Sequence, residues 1–369
     1  MPHVPIQKAP ETMTAKERVQ RTFAFEKTDR VTIGYESNAA VHRRLCKALG
    51  LPGNDMLALY RLLGVDYAGC SAPYVGAPVY PELPERARNP ENGAVMRYVA
   101  NEYGAYYDYC DFPLKGVDSE VIANYPFPSP DDYDYDAACA RADDLTKQGF
   151  ALHVGNPGLA DIINTAGMLM GVEDALINLA MADEATLQMT DRRLAVQLEV
   201  TQRILERCKG KIDFLWMGED LGAQHTPLIS MEMYRSVLMP RHQKFIDLAK
   251  AYGIPVLVHT CGSSSWVYET FLRMGVTGVD TLQPEADNMA PEYLAKHFGG
   301  RLSLRGCIST AGPLAYGTSQ QVTQVCRETL ETLMPCRGYH FAPTHAIQDN
   351  TPVENIIAMY QAAHTYGRY

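Results

Sequence analysis

The chain has 369 residues, 46% of them hydrophobic and 21% charged. At roughly 150 residues per domain that is one large or two medium domains, and the composition excludes a disordered chain or a disulfide-stapled miniprotein. The 33 Lys and Arg against 43 Asp and Glu leave a net charge of −10, with the basic residues scattered. That balance argues against nucleic acid or an anionic membrane as the partner. Nine cysteines lie between Cys46 and Cys336 without framework spacing, and the start of the chain has no apolar signal core. Both features predict a reducing, cytoplasmic setting, with some cysteines free to act as ligands. No stretch reaches the roughly 18 apolar residues of a spanning helix, so no membrane association is expected.

The first predicted element is a helix in TAKERVQRTFAFEK, residues 14–27, where Thr14 and Glu17 form a capping box. DRVTIGY reads as a strand, residues 55–63 as a helix and 65–67 as a short strand. Residues 70–135 are dense in Tyr and Pro and predict an inserted segment of hairpins and loops. From about residue 133 a regular alternation begins. The predicted strands are FALHVGN, DFLWMG, PVLVHT, GVDTLQ, LSLRG and GYHFAPT. The intervening helices cover 133–147, a long region 159–209 broken near Gly171 and Asp183, then 230–252, 263–274, 291–298, 319–334 and 352–366. Short apolar strands alternating with helices specify a parallel sheet. Six such strands, plus one or two near the N-terminus, approach the eight of a (β/α)8 TIM barrel. The expected architecture is one barrel over residues 1–369, with an N-terminal extension and an insert at about 70–135. No GxGxxG follows a strand, which weighs against an open dinucleotide-binding sheet.

In a (β/α)8 barrel, chemistry gathers where the strands end at their C-termini. The strand ends here offer Asn156, Glu219 with Asp220, His259 with Cys261, Gln283 with Glu285, Cys307 and His345. The sharpest motif is His259-Thr260-Cys261-Gly262. Residues i and i+2 of an extended chain point to one side, so His259 and Cys261 can share an ion. Imidazole with thiolate suits zinc, and a catalytic zinc needs a third protein ligand. His345 and Cys307 are the candidates for it, with Glu219 as an oxygen donor. Each has a plainer alternative: Cys307 as a small buried hydrophobe, and Glu219-Asp220 as a solvated turn or helix cap. Asn156, Gln283 and Cys307 stand where a substrate would touch the mouth.

Six segments in order resemble the uroporphyrinogen decarboxylase superfamily, and its methyltransferase branch in particular. They are KERVQRTFAFEKTDRVTIG, the pieces EYGAYYDYCDFPLKGVDS and ANYPFPSPDDYD, MGEDLGAQHTPLISMEMYRSVLMPRHQKFID, VLVHTCGS, VDTLQPEADNMAPEYLAKHFGGRLSLRGCIST and YHFAPTHAIQDNTPVENIIAMYQAA. The resemblance implies a (β/α)8 barrel. The decarboxylases hold their substrate's carboxylates with an Arg-rich motif near the N-terminus. Here only Arg43 and Arg44 are adjacent, outside such a motif, which argues against a porphyrinogen. The corrinoid-linked methyltransferases hold zinc with His-x-Cys and a later Cys in a Pro-x-Cys context. His259 and Cys261 match the pair, and His345 in Pro343-Thr344-His345 takes the place of the later cysteine.

Exchanging a thiolate for an imidazole makes a bound zinc more Lewis-acidic, which suits a neutral methyl donor. The resemblance therefore implies methyl transfer from a methoxylated or methylated small molecule to the Co(I) corrinoid of a separate protein. No DxHxxG corrinoid-binding motif stands in this chain. Glu219 and Asp220 are then the catalytic candidates, as a fourth ligand or a proton donor to the leaving group. A homodimer is compatible with the sequence. The alternatives are a metal-free decarboxylase and a barrel that only binds a ligand.

Overall fold

The computed structural model describes residues 6–53, 55–102 and 104–369. Eight parallel strands form the central sheet. They are β1 (Thr32–Ile33), β2 (Tyr67–Cys70), β6 (Ala151–Gly155), β7 (Phe214–Gly218), β8 (Val256–His259), β9 (Gly278–Leu282), β10 (Ser303–Ile308) and β11 (Tyr339–Pro343). Neighbours follow the order β1-β11-β10-β9-β8-β7-β6-β2. The remaining gap, between β1 and β2, is bridged at Asp66. Its N–H donates to the Ile33 carbonyl at 3.0 Å, and its Oδ2 accepts from the Ile33 N–H at 2.7 Å. The sheet is a nearly closed barrel wrapped by helices, as the alternation of strands and helices predicts.

Residues facing the barrel axis alternate along each strand. Tyr67, Ala151, Phe214, Trp216 and Leu257 form one interior cluster with Val19 and Phe23. The last two come from the first helix, Ala15–Phe23, which therefore plugs the N-terminal end of the barrel. Thr14 Oγ1 caps that helix by accepting from Glu17 N–H, while the Glu17 side chain pairs with Arg21 instead of closing the box. Above the plug the interior turns polar: His153, His259, Asp280, Arg305 and His340 are all buried. The outer faces of the strands and the helices form the large apolar core.

The insert contains a three-stranded antiparallel sheet, β3 (Ala87–Arg88), β4 (Val95–Asn101) and β5 (Gly104–Tyr109). The expected hairpin is present, with Tyr98 and Tyr107 paired across it and both exposed. The long helical region breaks where predicted, into Ile163–Met170, Val172–Ala180 and Glu184–Arg207. Gly171 adopts φ +92° at the first break, and Asp183 caps the last helix by accepting from Thr186 N–H. The helix expected at 230–252 carries a π turn over Tyr234–Leu238. Pro240, just beyond it, has no N–H to continue the α ladder. Among the described residues no helix is long and apolar enough to cross a membrane.

Candidate metal centre

His259 closes β8, and Cys261 follows as the chain leaves the barrel. The turn that follows them packs through two glycines, one from each of the loops after β7 and β8. Gly262 has φ +70°, and a Cβ there would meet the Gly222 carbonyl oxygen at 2.3 Å. A Cβ on Gly222 would meet Ser263 N at 2.4 Å. Only glycines let the loops after β7 and β8 lie this close. Asp220 and Gln283 pin the turn from either side. Asp220 Oδ1 accepts from Cys261 N–H at 2.9 Å, and Gln283 Oε1 accepts from Gly262 N–H. His345 arrives from the loop after β11 and is exposed.

The donor atoms of His259, Cys261 and His345 lie within 4.8 Å of one another. Cys261 Sγ stands 3.5 Å from His259 Nε2. Tetrahedral bonds of about 2.0–2.3 Å put neighbouring donors roughly 3.3–3.8 Å apart, so the spacing of the His259 and Cys261 donors fits a zinc ion. The second nitrogen of His259 is occupied. In the parallel register His259 stands opposite Asp280, and Nδ1–H donates to Asp280 Oδ2 at 2.8 Å. A carboxylate there fixes the tautomer that leaves the Nε2 lone pair free for a metal. Thr281 Oγ1 lies 2.6 Å from Nδ1, on a residue whose φ of +64° is rare for a β-branched side chain.

Asp280 is itself held by Arg305, whose guanidinium donates to Asp280 Oδ1, to Tyr67 Oη at 2.7 Å and to Glu36 Oε2 at 3.1 Å. The Arg305 guanidinium also stacks 4.5 Å from the Trp216 ring centroid. Burial raises the Asp280 carboxyl, but Arg305 and the His259 hydrogen bond outweigh it and bring the pKa down to about 2. Burial opposes charge on His259, and the Asp280 hydrogen bond overcomes it, so without metal the ring's pKa stands well above its ordinary value and an incoming ion displaces the Nε2 proton.

Glu219 is expected at this cluster, and the structure places it elsewhere. Its two oxygens accept from Ile162 N–H at 2.8 Å and Ile163 N–H at 3.0 Å, at the start of helix Ile163–Met170. His242 Nε2 lies 3.3 Å from Glu219 Oε2. Burial lifts the Glu219 pKa to about 8, and neighbouring Asp161 is likewise held well above the carboxylate range by burial and by Glu219. Glu219 anchors the helix start here through both oxygens, and it is not among the three residues whose donor atoms converge. Asp220 is next to the cluster and stays ionised. Burial works against its charge, but His259, Asn164 and Cys261 lower its pKa. Its carboxylate orients the loop and does not carry a proton to a leaving group at neutral pH.

The substrate-contact candidates separate in space. Cys307 is 1% exposed, at φ +67°, and packs in the apolar core. Gln283 is spent on the turn at Gly262. Asn156 is exposed and lines a cleft between the ends of β2 and β6, helix Glu184–Arg207 and the insert. Its Oδ1 accepts from Gly158 N–H at 2.7 Å. Asp280 and Arg305 were legible only as charges in the middle of apolar strands, a pattern that demands a buried partner.

Residues 217–366 match the family model described as Uroporphyrinogen decarboxylase (URO-D). That range contains all three donors and the Asp280–Arg305 pair. No curated protein matches the chain. Among solved structures, a methyltransferase from Methanosarcina mazei is similar over 95% of this chain and 98% of its own, with a TM-score of 0.64 and 16% identity. At that identity the likeness bears on the fold, and it agrees with the barrel described above.

Proposed function

We propose that this chain is a zinc-dependent methyltransferase that moves a methyl group from a methoxylated or methylated small molecule to the Co(I) corrinoid of a partner protein. The observation that carries the reading is the convergence of His259, Cys261 and His345 at the C-terminal mouth of the barrel. Three protein donors leave one position open, as catalytic rather than structural zinc sites do. When bound, the ion supplies a Lewis acid for the heteroatom that carries the methyl group.

The chain's own residues prepare that position. Asp280 holds the Nδ1 proton of His259, and Arg305 keeps Asp280 ionised. Asp220 and Gln283 fix the Cys261 turn, so the thiolate is delivered without reorganisation. A neutral His345 in place of a second thiolate leaves the donor set with one negative charge, which favours a neutral ether, thioether or amine as methyl donor. Asp220, the carboxylate next to the cluster, is ionised, so on this reading the proton taken up by the leaving group comes from water. The exposed His345 marks the side from which donor and corrinoid domain approach.

The test is zinc analysis alongside an activity screen. Methoxyaromatics and methylamines are supplied with a Co(I) corrinoid protein, and methylation is followed at the corrinoid's visible spectrum. One zinc per chain with a donor-dependent spectral change supports the reading. Full turnover by zinc-free protein refutes it. The family description favours a second reading, metal-free decarboxylation of a porphyrin-like acid. Turnover of a porphyrinogen by the zinc-free protein would establish that one instead.

A further inference from the structure

Three cysteines outside the metal centre gather on the β2 flank of the barrel. Cys70 ends β2, Cys139 lies in helix Tyr135–Lys147, and Cys208 caps the C-terminus of helix Glu184–Arg207. All three are free thiols. Cys208 stands between the others, in electrostatic reach of both the Cys70 and the Cys139 sulfur. Backbone contacts bind the same group together. The Cys70 thiol donates to Ala138 O at 3.3 Å, and the Cys139 thiol to Arg207 O at 3.6 Å. Cys70 and Cys208 are 1% and 0% exposed, whereas Cys139 is half-buried and reached from solvent. At that entrance the Lys211 ammonium donates to Cys139 Sγ at 3.4 Å.

We propose that Cys139, Cys208 and Cys70 form a thiol relay that turns a hydroperoxide met at the surface into a buried disulfide. The Cys139 thiolate attacks hydrogen peroxide, the O–O bond breaks, and the departing hydroxide leaves as water with the thiol's proton. Cys208 then attacks the sulfenic sulfur, the S–O bond breaks, and a second water leaves as the Cys139–Cys208 disulfide forms. Cys70 attacks Cys208 Sγ and expels Cys139, which recovers the proton from Cys70. Two thiols are oxidised and one peroxide is reduced to two waters. In the fully reduced protein the hydrogen bond from Cys208 lowers the Cys70 pKa and raises that of Cys208.

The experiment uses the full reduced protein under native conditions. Hydrogen peroxide is added, remaining thiols are alkylated, and linkages are mapped by mass spectrometry after digestion. The relay predicts a Cys70–Cys208 link, an intact mass lower by two hydrogens, and full reversal by dithiothreitol. In Cys139→Ser the link forms at least tenfold more slowly, and in Cys208→Ser it is lost while dimedone traps a sulfenic acid on Cys139. The proposal is overturned if wild-type Cys139 oxidises to the sulfinic acid with no link to Cys208 or Cys70. It is also overturned if Cys139→Ser forms the buried disulfide as fast as wild type. The wild-type mapping needs no variant to fold.

Discussion

Asp280→Asn isolates the orientation of His259 from its presence. The substitution keeps the volume of a fully buried side chain. Arg305 can only donate, so the amide oxygen turns to Arg305 and the amide nitrogen faces His259 Nδ1. Two N–H groups then meet where 2.8 Å separated donor from acceptor. The ring relieves this by moving its proton to Nε2, the atom that stands 3.5 Å from Cys261 Sγ. A protonated Nε2 cannot ligate. Loss of such an orienting carboxylate costs about 10–100-fold in metal affinity, or roughly 1.4–2.7 kcal/mol. The variant also leaves Arg305 with a weaker partner, though Glu36 and Tyr67 still accept from it. Zinc affinity is therefore read by competition with a chromophoric chelator on protein shown to be folded by circular dichroism. A folded Asp280→Asn protein binding zinc as tightly as wild type would mean that His259 is not a ligand, or that its tautomer does not depend on Asp280.

His345→Ala is expected to lose zinc retention and methyl transfer together, because one of three protein donors is gone; His345→Cys should retain zinc but turn over a neutral donor more slowly, both read as metal content beside corrinoid methylation. Gly262→Ala forces a Cβ to within 2.3 Å of the Gly222 carbonyl at a left-handed φ, and should cost at least about 1–2 kcal/mol in thermal or denaturant unfolding and displace Cys261. Stability should fall as pH drops from about 6.5 towards 4, since burial lowers His153 and His242 to about 4 and only the unfolded chain takes up their protons. Glu219 acts in the opposite sense: the folded protein keeps its proton up to about 8, so stability also falls as pH rises from about 4.5 to 8, and Glu219→Gln should flatten that limb in urea titrations.

The strand and helix order was legible because parallel strands buried on both faces read as short apolar runs, and nearly every one of them appears as written. The convergence of three residues was legible too, since His259 and Cys261 share a strand end and His345 follows another. Their partners were not. Whether a carboxylate after β7 turns inward or sideways depends on the loop it meets, and sequence spacing carries no record of that. Glu219 found two unpaired N–H groups at a helix start and was used there, while Asp220, one residue on, found Cys261 N–H. Cys307 shows the same limit from the other side. It sits at a strand end like His259, but the chain takes φ +119° at Gly306 and +67° at Cys307, and the thiol turns into the core.

The division of labour between Asp220 and Asp280 bears on the proposed chemistry. Both carboxylates are ionised and both touch a donor residue, yet they differ in what balances them. Asp280 is paired with Arg305, so the two charges cancel at any distance longer than their separation. Asp220 hydrogen-bonds Asn164 and Cys261 N–H, neither of them a cation, and its electrostatic counterpart is the metal site itself, at His259. One thiolate, two imidazoles and a divalent ion sum to +1, and Asp220 brings the sum to zero one shell out. With a second cysteine at position 345 the same sum would be −1. On the proposed reading, His345 is therefore what keeps the inner shell cationic while the surrounding loop stays neutral overall. That arrangement polarises an uncharged heteroatom without requiring the substrate to bring a charge of its own.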